Sequence, residues 1–133
     1  MKKLLVILLF AFVFVGCKDK DDDVDADLGM NAVGNYTMTS LGKGGVNLDL
    51  PFQGLSGTIK STRVNATTAF MIIETNDNGT IENMGEGEIN LSKSGEKIIL
   101  KENGTEIGDI EGNTLTLNIA DDDGINIKIQ AKK

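Results

Sequence analysis

Five turn dipeptides divide the second half of this chain at near-regular intervals: Asn78-Gly79, Ser94-Gly95, Asn103-Gly104, Gly112-Asn113 and Asp123-Gly124. Asn-Gly and Asp-Gly supply the positive φ angles of two-residue hairpin turns, so each marks a chain reversal. The segments between them are strand-like runs. Thr114 to Ala120 alternates Leu115, Leu117 and Ile119 with Thr114, Thr116 and Asn118. Ile125 to Ala131 sets Ile125, Ile127, Ile129 and Ala131 against Asn126, Lys128 and Gln130. Period-2 alternation is the mark of a half-buried strand. No stretch beyond residue 16 shows helical periodicity of useful length.

Upstream, Asn35 to Leu41, Val46 to Phe52 and Leu55 to Asn65 read as strands. Gly42 to Gly45 and Gln53-Gly54 break them, and Pro51 marks an edge or strand end. The expectation is an all-β antiparallel meander of eight or nine strands. Successive hairpins make each strand the neighbour of the next, which favours an up-and-down barrel. Pairing the first strand with the last would hide both sheet edges.

The N-terminus carries a different message. Lys2 and Lys3 precede a twelve-residue apolar run, Leu4 to Val15, closed by Gly16. That run is shorter than the 20 or so residues that span a bilayer. A basic start, a short apolar stretch and a small residue at the end describe a secretory signal peptide over residues 1–16. Phe14-Val15-Gly16-Cys17 resembles the lipobox of bacterial lipoproteins, with Phe14 where that family usually has Leu. The resemblance implies that Cys17, the single cysteine, is lipidated and becomes the mature N-terminus. One acyl chain anchors a protein only reversibly; the two or three chains implied by the resemblance anchor it for good.

Lys18 to Asp27 holds six Asp and two Lys. Such a segment repels itself into an extended spacer and cannot fold. Its ten residues reach at most about 35 Å. Lys followed by acidic residues directly after the lipidated Cys also resembles the export signal of Bacteroidetes lipoproteins bound for the outer face of the outer membrane. That implies a lipid-anchored, surface-exposed protein; a plain spacer leaves it on the periplasmic face. The expected organisation is signal peptide 1–16, lipidated Cys and acidic tether 17–29, and barrel domain 30–133.

Gly34-Asn35-Tyr36 opening the first strand, and the closing meander GDIEGNTLTLNIADDDGINIKIQAKK, resemble the small lipocalin-like (calycin-like) domains of Bacteroidetes lipoproteins. Lipocalins carry Gly-x-Trp at this strand, with a basic residue of the last strand packed on the Trp. Here Tyr36 stands in for the Trp, and Lys128 is the candidate partner within the last strand.

Composition decides the function class mainly by exclusion. The chain of 133 residues has no His, which removes Ser-His and Cys-His nucleophiles and His-ligated metals. One Cys forms no thiolate zinc cluster. A net charge of −7 argues against nucleic acid. Aligning Gly124 of Asp121-Asp122-Asp123-Gly124 to the sixth position of a calcium loop puts Ile119 at the first, where no side-chain ligand exists. Glu86 and Glu88 share one strand face and read as a solvated surface rather than a glycosidase pair.

The expectation is therefore a non-enzymatic, membrane-anchored barrel without cofactor or metal. It binds a small hydrophobic ligand, with Tyr36, Met38, Phe52, Phe70 and Ile72 as candidate contacts. The alternative is a filled barrel whose outer surface binds a protein or glycan partner.

Overall fold

The computed structural model describes residues 27–133. The expected signal peptide, Cys17 and the tether up to Ala26 lie outside the described residues. One short helix, α1 (Leu28–Ala32), precedes nine antiparallel strands. These are β1 (Gly34–Lys43), β2 (Val46–Asp49), β3 (Leu55–Asn65), β4 (Thr68–Asp77), β5 (Thr80–Ser94), β6 (Lys97–Glu102), β7 (Thr105–Glu111), β8 (Thr114–Ala120) and β9 (Asn126–Lys132).

Eight of the strands close into a barrel in the order β1-β3-β4-β5-β6-β7-β8-β9, and β9 pairs back onto β1. β2 is the extra strand. It pairs with Ser40 to Lys43 of β1, while Gly34 to Thr37 of the same strand pair with β3. The other edge of β1 carries β9, with Thr37 opposite Lys132 and Lys43 opposite Ile127. The expected all-β, up-and-down barrel is thus the fold observed.

The turn chemistry explains the topology. Asn78 and Asn103 take φ of 50° and 51°, each followed by a glycine at positive φ (98° and 81°). Two consecutive positive φ values make the primed turn whose twist matches a hairpin. At Asp121 the carboxylate holds the β8–β9 turn. It accepts from Asp123 N–H at 3.0 Å and Ile125 N–H at 2.8 Å, and pairs with Lys43 at 3.0 Å. The Ile125 amide first, then Lys43, keep this carboxyl below the usual range.

Antiparallel connections place alternate turns at opposite ends. The β3–β4, β5–β6 and β7–β8 turns lie at one end, the base. The β1–β2, β4–β5, β6–β7 and β8–β9 turns lie at the other, the mouth. The base is shut by α1, and the packed fold therefore begins before the expected boundary at residue 30. Leu28 and Ala32 are buried there, a helix too short to leave a period in the sequence. Asp27 caps it, accepting from Met30 N–H at 3.0 Å and from Arg63 Nε at 3.1 Å. The Arg63 bond first, then the Met30 amide, lower the pKa of this carboxyl. Gly29 donates to the Ala66 carbonyl at 3.1 Å, so close to the β3–β4 turn that a Cβ would strike the Asn65 carbonyl.

Above α1 the interior is solid. Tyr36, Met38, Ile59, Leu100, Leu115, Leu117 and Ile129 are the largest fully buried apolar side chains. The Tyr36 hydroxyl donates to the Ala32 carbonyl at 3.0 Å, tying the first strand to the helix. Burial also raises the phenol pKa. Lys133 Nζ donates to the carbonyls of Asn31 and Val33, both at 3.2 Å, and stands 5.4 Å from the Tyr36 ring centroid. The basic partner of Tyr36 is therefore Lys133, not Lys128. Ile127, Ile129 and Ala131 face the core, so alternation sends Lys128 to the outer wall. Lys133, just past β9, is free to fold over the base.

One buried polar atom has no partner among the described residues: the hydroxyl of Ser61, which is 2% exposed. A buried unsatisfied hydroxyl costs roughly 1–3 kcal/mol. Ser61→Ala should leave the barrel equally stable or up to about 1 kcal/mol more stable in urea titration. A loss above that size would show that the hydroxyl has a partner.

Candidate functional site

The barrel wall is not of even height. β5 has 15 residues, whereas β6 has 6 and β7 has 7. β6 pairs only with Asn90 to Ser94, which leaves Thr80 to Ile89 of β5 without a neighbour on that side. β7 likewise pairs only with Thr114 to Leu117 of β8, leaving Asn118 to Ala120 open. Above the short β6–β7 hairpin the wall therefore has a notch between β5 and β8.

A cavity of about 190 Å³ opens at this notch. Met71 and Ile73 of β4 form its back, and Leu117 and Ile119 of β8 its far side. Two further lining residues arrive through β-bulges. Between β4 and β5 the register slips at Met84: Ile73 faces Gly85 but Glu74 faces Asn83. Between β6 and β7 it slips at Ile107: Leu100 faces Gly108 but Lys101 faces Glu106. Bulges re-aim a side chain and recur at barrel rims. Here they bring Met84 and Ile107 to the same cavity. The Met84 bulge is braced by Asn83, whose side-chain oxygen accepts from Gly85 N–H at 2.8 Å. The Asn83 amide in turn donates to Glu86 at 3.1 Å.

Size limits what can enter. An apolar cavity of about 150 Å³ holds a benzene-sized molecule, and drug-sized ligands take roughly 300 Å³ or more. The notch cavity fits a molecule of up to about ten non-hydrogen atoms by the same scale, or the end of a longer one. Two larger hollows have mixed polar and apolar walls. One of about 420 Å³ at the base is bordered by Lys93, Lys97 and Lys133, and one of about 310 Å³ on the outer wall by Asn47, Asn126 and Gln130.

Charge is distributed along the barrel axis. The mouth-side ends carry Asp77, Glu82, Glu102, Glu106 and Asp121 to Asp123, against Lys43, Lys101 and Lys128. The base carries Arg63, Lys93, Lys97, Lys132 and Lys133, against Asp27, Glu96 and Glu111. Lys97 pairs with Glu111 at 3.6 Å.

None of the five candidate contacts lines the cavity. Tyr36 and Met38 are buried in the solid part of the interior. Phe52 is 45% exposed, on the connection between β2 and β3. Phe70 and Ile72 are half-buried on the outer wall of β4, opposite Glu88 and Glu86 of β5. The lining comes instead from aliphatic and Met side chains, which no short motif marks.

No protein-family model, curated protein or solved structure matches the chain. Among the described residues there is no cluster of three or more metal-ligating side chains, and no helix long and apolar enough to cross a membrane.

Proposed function

We propose that this is a lipid-anchored, non-enzymatic, lipocalin-like barrel of the bacterial cell envelope. Cys17 holds it to the outer membrane, and the mouth-side cavity takes up a small apolar molecule. The observation that carries the ligand reading is the cavity itself, apolar on its walls and reached through a gap in the sheet. The anchoring half rests on the lipobox resemblance at Phe14-Val15-Gly16-Cys17.

Gly87 provides the test. It faces the notch from β5, and a Cβ there meets nothing nearer than Glu102 Oε1 at 4.0 Å. Gly87→Val should therefore place its side chain in part of the cavity, its Cβ meeting no clash. Met71 and Met84 line the cavity, whereas Met38 is buried elsewhere, so methionine methyl resonances report occupancy locally. Titrating hexan-1-ol into the full chain should shift the Met71 and Met84 methyls saturably and leave Met38 still. Gly87→Val should weaken that response at least about tenfold, since a lodged side chain removes the space. Absence of any saturable shift in the parent chain sinks the ligand reading.

Anchoring has a separate readout. Cys17→Ser should move the protein out of the membrane fraction; a variant that still sediments with membranes overturns lipidation at Cys17. The outer wall favours one competing reading, a surface scaffold, because Phe70 and Ile72 stay half-exposed there. Co-purification of a partner that Phe70→Ser abolishes would favour it.

A further inference from the structure

The inference concerns the polar end of the ligand, and it rests on the ligand reading above. Glu102 ends β6 on the inward-facing register of that strand, in line with the buried Ile98 and Leu100. Its carboxylate lies 4.0 Å from the position a Gly87 Cβ would occupy, at the threshold of the cavity. Glu86 also borders the cavity, but its carboxylate already accepts from Asn83. Glu102 makes no hydrogen bond or ion pair with the described residues. No Lys or Arg lines the cavity. Alternation turns the adjacent Lys101 to the other face of β6, opposite Asn90 and Glu106.

We infer that the cavity selects a small amphiphilic amine: an apolar body in the cavity and an ammonium group at Glu102. Glu102 is exposed and hydrated, so an anionic head group beside it meets like charge and a neutral one gains no ion pair, whereas an ammonium group gains one. The acidic mouth strengthens the selection, since a surface rich in one sign of charge raises the local concentration of the opposite ion. Gly85 and Gly87 contribute to it as well. Their missing side chains leave room for an ammonium group and its hydration between β5 and Glu102.

Hexylammonium, hexan-1-ol and hexanoate share one chain length and differ in charge. Each is titrated into the full chain at pH 7 and low salt, with the Met71 and Met84 methyls as readout. The expected result is hexylammonium binding about three- to fivefold more tightly than hexan-1-ol, and hexanoate more weakly than both, the range for a solvent-exposed ion pair. Glu102→Gln should remove most of the preference of hexylammonium over hexan-1-ol, leaving the smaller part that the acidic mouth supplies. High salt should shrink the same preference. Equal binding of all three by the parent chain, or a preference that Glu102→Gln does not reduce, overturns the amine inference and leaves the apolar-ligand reading standing. If hexan-1-ol too gives no saturable shift, both fall together.

Discussion

Replacing Tyr36 by Ala should lower the unfolding free energy by about 3–5 kcal/mol, the range for deleting a fully buried aromatic side chain. Tyr36 is 0% exposed and the largest side chain in the interior. Its ring fills the space between β1 and α1, and its hydroxyl holds the Ala32 carbonyl. Removing it opens a void at the base and leaves Lys133 without an aromatic face. Tyr36→Phe separates the two contributions. It keeps the ring, loses one buried hydrogen bond, and should cost about 1 kcal/mol. Urea unfolding of both variants is the measurement. An Ala variant within about 1 kcal/mol of the parent would mean that the base can collapse around the missing ring.

Two glycines that face the interior should respond to alanine with opposite signs. Gly108 of β7 is packed so closely beneath β8 that a Cβ would collide with the Thr116 carbonyl and the Leu117 Cα. Both are backbone atoms of a paired strand, so neither can rotate away. Gly108→Ala should destabilise by about 3 kcal/mol, the upper part of the range for overpacking a tight interior. Gly87, two strands away, has open space where a Cβ would go. Gly87→Ala restricts the unfolded chain without a native clash and should be neutral or stabilising by up to about 1 kcal/mol. Thermal unfolding of the pair reads the difference directly. Equal effects at the two positions would refute the close approach of β7 and β8.

The fold was readable because it is written in local chemistry. Asn78-Gly79 and Asn103-Gly104 dictate their turns, and β8 and β9 show which face they bury. β4 was different. Ala69 to Ile73 is apolar at every position, so the run has no visible inner face, and its register on β3 and β5 sends Phe70 and Ile72 outward. The cavity was less legible still. Met84 and Ile107 reach it through bulges, and a bulge is a property of two paired strands that neither strand's own pattern reveals. Of the five candidate contacts, Tyr36 and Met38 lie in the packed interior, Phe52 on the β2–β3 connection, and Phe70 and Ile72 on the outer wall. Lys133 escaped for a related reason: it works from beyond the end of β9, where alternation no longer applies.

The seam between β1 and β9 also sets a timetable. The Thr39 hydroxyl donates to the Gln130 carbonyl across 91 positions of the chain, and the ladder beside it joins segments equally remote. Contacts so distant in sequence are slow to form, because the intervening chain must surrender its freedom before they reward it. During synthesis, β1 has no closing partner until β9 has emerged. Through that interval the meander is an open sheet with two sticky borders. Folding in milliseconds to seconds is the expectation for such a topology, and escort by a holding factor until β9 arrives would shield those borders.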